Sequence, residues 1–436
     1  MFSKILIANR GEIAVRIIRA CREMGISTVA VYSQADKDAL HVQLADESYC
    51  IGPAKAADSY LDEDKIISAA LVSGAQAIHP GYGFLSERAH FAEKCMKCGI
   101  VFIGPDPESM ERISDKTNIK KMMAQTGLHP IEGTDAIASL EEAKKAAAQI
   151  GYPVMLKACE GGGGRGIRLV EREEDLESEF VIATSESETA FGCGDIYIEK
   201  YIYPARHIEV QIIADEAGNV VSLGDRDCSV QRHHQKLIEE TPSPAVSPQQ
   251  RAKLMRDVAD AIRKIGYVGA GTLEFLLDKQ GNFHLMEMNV RLQVEHCVTE
   301  MLTRVDMVKW QIRAAAGIPL IFKQEEIDLN AGTAIECRIN ALSTGKVEML
   351  HAPGGPFVRF DSYLTNGSEI TPFYDSLLAK VIVFAHTREE AVRKMRTALC
   401  ETVITGVRTN IEEQLNLICD PKFLSGEYDL TFMEGR

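Results

Sequence analysis

The chain has 436 residues, of which 45% are hydrophobic, enough to bury a large core spread over two to four domains. Its net charge of −15 disfavours nonspecific nucleic-acid binding, so an anionic substrate has to be drawn by local basic clusters and not by the global field. No apolar run reaches the ~18 residues that span a bilayer, the first residues lack a charged-then-apolar signal pattern, and the eleven cysteines form no even framework of close spacings, which together predict a soluble, cytoplasmic protein with no membrane partner.

Residues 4–8 read as a short apolar strand, Asn9 to Gly11 as a turn, and residues 12–24 as a helix with Ile13, Ile17 and Cys21 on one face. Residues 29–32 form the next strand, so the chain opens as a parallel βαβ unit. No G-x-G-x-x-G loop follows the first strand, which argues against a dinucleotide there. The run His79-Pro-Gly81-Tyr82-Gly83-Phe84 follows an apolar strand and reads equally as a tight turn or as the border of a ligand cleft. Cys95 and Cys98 sit on one helical turn with no second pair, which is not a zinc pattern. His41, His90 and His284 are isolated and read as ordinary surface or core histidines. Residues 114–125 read as a helix with Lys116 near its start.

Strands at residues 153–158 and 167–170 flank the run from Lys157 to Gly166, which holds consecutive glycines including Gly162, Gly163 and Gly164. No helix follows the glycines, so a Walker-type loop is excluded. Bare backbone N–H groups between two strands can approach phosphate oxygens closely, and the segment reads either as a lid or as a flexible linker. Residues 206–211, containing His207, form a strand that turns at Gly218-Asn219 and returns to Gly224. The run Gln231-Arg232-His233-His234-Gln235-Lys236 then gathers donors suited to phosphate or bicarbonate and lacks the carboxylates or cysteines of a histidine metal site.

Residues 271–278 and 283–289 are expected to form a hairpin. With Asp278 facing Phe283, Glu274 comes opposite Glu287, and two carboxylates at cross-strand distance repel unless a cation lies between them. Asn289 shares the face of Glu287 and adds a third oxygen, a set suited to Mg²⁺ or Mn²⁺ with phosphate completing the shell. The competing reading is a half-exposed amphipathic strand. If the strand continues, Arg291 and Glu295 project to one face.

These segments also carry a family resemblance. Asn9-Arg10-Gly11-Glu12-Ile13-Ala14, His79 to Ser86, the glycine run, Gln231 to Lys236, Glu287 to His296 and Glu336-Cys337-Arg338-Ile339-Asn340 resemble biotin carboxylase, with ordered motifs from the first strand to Tyr428. The resemblance implies a mixed α/β and α+β fold: an N-terminal Rossmann-like domain over residues 1–113, an ATP-grasp domain over 114–330 with a mobile glycine-rich lid over about 131–203, and a C-terminal α+β domain over 331–436. It implies ATP-dependent carboxylation of the biotin of a carrier protein by bicarbonate, through carboxyphosphate. ATP would be held by Lys116, Lys157, Gly162, Gly163, Gly164, Gly166, Glu199, Lys200, Ile202, His207, Gln231 and His234, with Mg²⁺ or Mn²⁺ on Glu274, Glu287 and Asn289. Bicarbonate would lie on Arg291, Lys236, Gln293 and the backbone of Val294, with Glu295 as general base, Arg338 stabilising the biotin enolate and Tyr82 bordering the ring.

The expected partners are a separate biotin carboxyl carrier protein and carboxyltransferase subunits, with a homodimer suggested by Arg19 and Glu23. The chain departs from the family pattern at Glu160, Val290 and Cys297 and in a shortened segment at residues 341–350, changes that point to the biotin side and away from the ATP site. A different ATP-grasp ligase and a non-catalytic nucleotide-binding homologue are the competing readings.

Overall fold

The computed structural model describes residues 1–137, 139–159, 166–192 and 194–436, and the backbone alone at 116, 117, 190 and 191. Glu160 and the glycines 162–164 of the expected lid lie outside the described residues. The chain begins with β1 (Lys4–Ile7), β2 (Ser27–Ser33), β3 (Glu47–Gly52), β4 (Ala77–His79) and β5 (Val101–Phe102), a parallel sheet in the order β3-β2-β1-β4-β5. The crossover helix Gly11–Glu23 buries Ile13, Ile17 and Cys21 as the apolar spacing requires. Both edges of this helix differ from the expected span by one residue: Gly11, at φ 68°, is its first residue, and Met24, at φ −90° and ψ −1°, caps its end.

Next come β6 (Val154–Ala158), β7 (Ile167–Val170) and β8 (Ile196–Lys200), an antiparallel sheet in the order β7-β6-β8. Helices Leu140–Ile150 and Leu176–Phe191 cover it, and Val154, Leu156, Ile196 and Ile198 share a small core of its own with Ala143 and Leu176.

The remaining framework is β9 (Ala205–Ala214), β10 (Val220–Arg232), β11 (Gln235–Thr241), β12 (Gly269–Asp278) and β13 (Phe283–Asn289), followed by β14 (Thr333–Asn340), β15 (Gly345–Lys346), β16 (Leu350–His351), β17 (Val358–Ser362), β18 (Glu369–Ile370), β19 (Leu377–Ala385) and β20 (Val403–Ile404). Eight of these form one sheet, β13-β12-β9-β10-β11-β14-β19-β17, which runs without a break past residue 330 because β11 pairs with β14. The strands β10 and β11 reverse through His233 and His234, both in the left-handed region at φ 49° and 62°. The helix Pro248–Ile265 opens on a reciprocal cap between Ser247 and Gln250, with Pro248 at its first position, and closes on Gly266 in the left-handed region. No described helix is long and apolar enough to cross a membrane, and the described cysteines are all free.

Candidate active site

A cleft of about 1050 Å³ is lined by Tyr82 and Glu87 from the loop after β4, by Lys157 and Tyr197 from the three-stranded sheet, and by His207, Lys236, Glu274, Glu287 and Arg338 from the eight-stranded sheet. One wall is the hairpin β12–β13. Glu274 pairs with Glu287 as the sequence predicts, yet Leu277, not Asp278, faces Phe283. The count is corrected by a bulge that gives β13 one extra residue between Leu285 and Glu287, and without it the Glu287 side chain would turn to the other face.

Glu274 is heavily engaged. Its Oε2 lies 2.9 Å from His207 Nε2, and its Oε1 accepts from Asn289 Nδ2 at 2.9 Å and Gln293 Nε2 at 3.0 Å. Burial pushes this carboxyl up, but Lys236 and His207 outweigh it and hold it well below the usual carboxylate range. Glu287 borders the cleft and has neither an ion pair nor a hydrogen bond to any described side chain. Two facing carboxylates, one of them unpaired, with an amide beside them offer the oxygen donors that Mg²⁺ or Mn²⁺ takes. Asn289 presents its nitrogen to Glu274 and its oxygen to Arg291 Nη2 at 3.2 Å, so it offers oxygen to a cation only after its amide turns over.

The segment that follows β13 departs from the expected strand. Regular pairing stops at Asn289, and residues 290–295 run irregularly into the helix His296–Thr303, so Arg291 and Glu295 are not placed by strand alternation. Ion pairs place them instead. Glu295 Oε1 lies 2.5 Å from Lys236 Nζ and its Oε2 2.9 Å from Arg338 Nη2. Lys236 also reaches Glu209 Oε2 at 2.7 Å, and Glu209 Oε1 lies 2.5 Å from the buried Arg226. Burial opposes charge on Glu295, but Lys236 and Arg338 hold it well below its usual range. Burial likewise opposes charge on Lys236, and Glu209, Glu274 and Glu295 raise it well above its usual value. Arg338 is steered from behind by Glu239, whose Oε1 accepts from Nε at 2.6 Å. Arg291 lies 2.9 Å from Glu87 and donates to Gln293 Oε1 at 2.8 Å.

At the end of the cleft formed by the three-stranded sheet, Lys157 Nζ lies 2.5 Å from Glu199 Oε2, and Lys120 pairs with the other oxygen. Lys200 Nζ is spent on the carbonyl of Gly151 at 2.6 Å. Glu199, Lys200 and Ile202 do not border the cleft, whereas Gln231 and His234 do, and Gln231 Nε2 lies 2.8 Å from His207 Nδ1. Gly166, at φ 71°, leads into β7 beside the cleft residue Ile167, and Lys116 opens the helix Lys116–Ala124. Tyr82 stands on the far side, its hydroxyl bonded to Glu12.

Residues 1–110 match the N-terminal domain of biotin carboxylase, 115–323 the ATP-binding domain of the carbamoyl-phosphate synthase L chain, and 336–435 the C-terminal domain of biotin carboxylase. The chain belongs to the biotin carboxylase family. Biotin carboxylase 1 of Bacillus subtilis is 49% identical, with 100% of this chain and 98% of the relative covered. The 2-oxoglutarate carboxylase small subunit of Hydrogenobacter thermophilus is also 49% identical, covering 100% of this chain and 93% of that one. Among solved structures, the biotin carboxylase domain dimer of that enzyme, in complex with MgADP, ADP and bicarbonate, superposes with a TM-score of 0.96 at 49% identity, covering 100% of this chain and 97% of the other. The Campylobacter jejuni biotin carboxylase–β-γ-ATP complex gives 0.97 at 48% identity, covering 99% and 98%. The Rossmann-like, ATP-grasp and α+β architecture is thus that of the biotin carboxylase family.

Several participants in the charge network escaped sequence reasoning: Glu12, Glu87, Glu209, Glu239 and Lys380. Three of them left a signal. Glu209 lies two residues from His207 on one strand and must share its face. Glu239 and Glu240 are adjacent on β11 and so point to opposite faces, and Lys380 is a charge inside the otherwise apolar strand β19; Glu239 and Lys380 are both fully buried. The shortened segment 341–350 contributes nothing to the cleft wall, since Leu342 bonds Arg408, Glu348 bonds Thr405, and Asn340 is the last residue before it that faces the cavity. Val290 and Cys297 are buried, the latter donating its thiol to Asp361 at 3.3 Å. Glu23 pairs with Lys309 of the same chain at 2.5 Å, while Arg19 is exposed.

Proposed function

We propose that this chain is a biotin carboxylase that uses ATP and bicarbonate to carboxylate the biotin of a carrier protein. The observation that carries the reading is the Lys236–Glu295–Arg338 chain at the cleft wall, with contacts of 2.5 and 2.9 Å, in a chain of this family. As found, Glu295 is a poor base, because two cations stabilise its charge. An incoming bicarbonate competes for Lys236 and Arg338 and so loosens them from Glu295, which raises its proton affinity at the moment a proton is offered. Glu295 takes the bicarbonate O–H proton, and the freed oxygen forms a bond to the γ-phosphorus as the bond to ADP breaks, giving carboxyphosphate. Arg291, held by Glu87 and Gln293, is a planar donor suited to clamp the bicarbonate with Gln293 and the Val294 N–H.

Carboxyphosphate then separates into CO₂ and phosphate. The phosphate removes the biotin N1 proton, Arg338 stabilises the enolate, Tyr82 borders the ring, and N1 attacks CO₂. Lys116, Lys157, His207, Gln231 and His234, with Gly162, Gly163, Gly164 and Gly166, are assigned to the phosphates, and Glu199, Lys200 and Ile202 to adenine. For that, Lys157 has to leave Glu199, an exchange of one anion for another. Glu274, Glu287 and Asn289 would hold Mg²⁺ or Mn²⁺, which when bound neutralises phosphate charge as the γ-phosphoryl group transfers. The domain boundaries assigned are 113/114 and 330/331.

The partners proposed are a biotin carboxyl carrier protein, carboxyltransferase subunits and a second copy of this chain, in the cytoplasm. The relative named as a small subunit and the homologous domain solved as a dimer support this reading. The test is ADP release by the purified protein with ATP, Mg²⁺ and bicarbonate, with and without free biotin. Biotin stimulation that disappears in Arg338→Ala is expected; ATP binding without biotin-stimulated turnover overturns the reading.

A further inference from the structure

Lys380 is a cation with 0% exposure inside the apolar strand β19. Its register partner on β14 is Arg338. Its ammonium lies 2.9 Å from Glu12 Oε1 and donates at 2.9 Å to the carbonyl of Val294. The same Glu12 oxygen accepts from the Tyr82 hydroxyl. Glu12 belongs to the first turn of the helix Gly11–Glu23, Tyr82 to the turn after β4, and Val294 to the irregular segment that ends in Glu295. One ammonium therefore ties together the biotin-side turn, the bicarbonate segment and the strand beside Arg338.

The placement is costly unless it serves geometry. A buried ammonium loses several kcal/mol of hydration that its partners must offset. A well-packed apolar side chain would satisfy β19 at less cost, but it could not hold the Val294 carbonyl, whose segment has no β-partner to fix it. Burial opposes charge on Lys380, and its neighbours, Glu12 among them, outweigh it. The lysine is thus a fixed cation at neutral pH.

We infer that Lys380 is a positioning residue: it sets the Val294–Glu295 peptide and, through Glu12, the Tyr82 hydroxyl, so that the general base and the biotin wall keep one mutual geometry. This inference rests on the proposed biotin carboxylase activity. The closing experiment compares the wild-type chain with Lys380→Met/Glu12→Gln, a pair that leaves no unpaired buried charge, in biotin-stimulated ADP release, in KM for ATP, and in thermal midpoint.

A loss in kcat of about 10²-fold is expected, the size of effect that a misplacement near 1 Å produces, with KM for ATP held within about 2-fold. A purely structural ion pair would lower the midpoint and leave kcat per folded molecule unchanged, and that result overturns the inference. The single variant Glu12→Gln serves if the pair does not fold. It keeps neighbours of the same shape but removes the negative charge from the acceptor of the Lys380 bond, and a roughly 5-fold loss in kcat is expected from that change; an unchanged kcat overturns the inference. If the wild-type chain shows no biotin-stimulated release, the functional reading fails and this one with it.

Discussion

The two walls of the cleft are built by different means. On the hairpin wall, Glu274, Glu287 and Asn289 are placed by backbone pairing, with period-two alternation and one bulge deciding which way each points. On the adjoining wall, residues 290–295 have no strand partner, and Glu295 and Val294 are placed by Lys236, Arg338 and Lys380. Glu287, which makes no bond to a described side chain, can therefore be replaced without moving its neighbours, whereas Glu274 holds His207, Asn289 and Gln293. On the second, the side chains are the scaffold.

The largest effect expected from this contrast is on the second wall. Glu295→Gln removes the proposed base and at the same time frees Lys236 and Arg338 from one of their anions. Biotin-stimulated ADP release should fall by about 10²–10⁴-fold, the range for a lost general base, with ATP binding retained. Steady-state kinetics beside nucleotide binding by calorimetry checks this. Retention of more than about a tenth of the rate would rule out Glu295 as the base.

The hairpin wall should respond more mildly and locally. Glu287 has neither ion pair nor hydrogen bond among the described residues, so Glu287→Gln disturbs nothing but the donor set for the cation. The activating concentration of Mg²⁺ is expected to rise by roughly 10–100-fold, with thermal stability unchanged or higher because the like charge opposite Glu274 is removed. Removing Mg²⁺ with a chelator should stop turnover reversibly in both proteins. An unaltered Mg²⁺ requirement in the variant would mean that the cation is held elsewhere.

The same contrast explains what was legible in the sequence. Alternation announced the face of Glu274, Glu287 and Asn289, because a strand's period is a property of adjacent residues. The bulge was invisible, and the expected facing of Glu274 and Glu287 holds only because a one-residue error at the turn and the extra residue in β13 cancel. The irregular segment could not be read at all from period. Where Glu295 points depends on Lys236, which is 59 residues away, and on Arg338, which is 43 away. The family resemblance supplied those roles, whereas Lys380 was open to a physical reading that treats a charge within an apolar strand as a partner for something buried, and Glu209 to one that follows the face of His207 along β9.

The smallest effect concerns Glu239 and sharpens the second wall. Glu239 faces Glu336 across β11–β14 and carries Arg338 on its Oε1. Burial pushes its carboxyl up to about 7, against the pull of Arg338 and with a further push from Glu295. The folded state then holds a proton there that the unfolded chain, with a carboxyl of ordinary value 4.5, releases earlier. The resulting contribution to stability is present in full at pH below 4.5 and is lost as pH rises through about 7. Catalysis runs the other way: above that pH the carboxylate grips Arg338 as an ion pair, and below it the guanidinium faces a neutral carboxyl. In Glu239→Gln the acceptor is uncharged at every pH. The rate advantage of the wild-type protein should therefore be roughly 5-fold at alkaline pH and shrink toward unity as the carboxyl takes up its proton. Measured at fixed bicarbonate concentration, a wild-type to variant ratio that does not change with pH would show that Arg338 is oriented without the charge on Glu239.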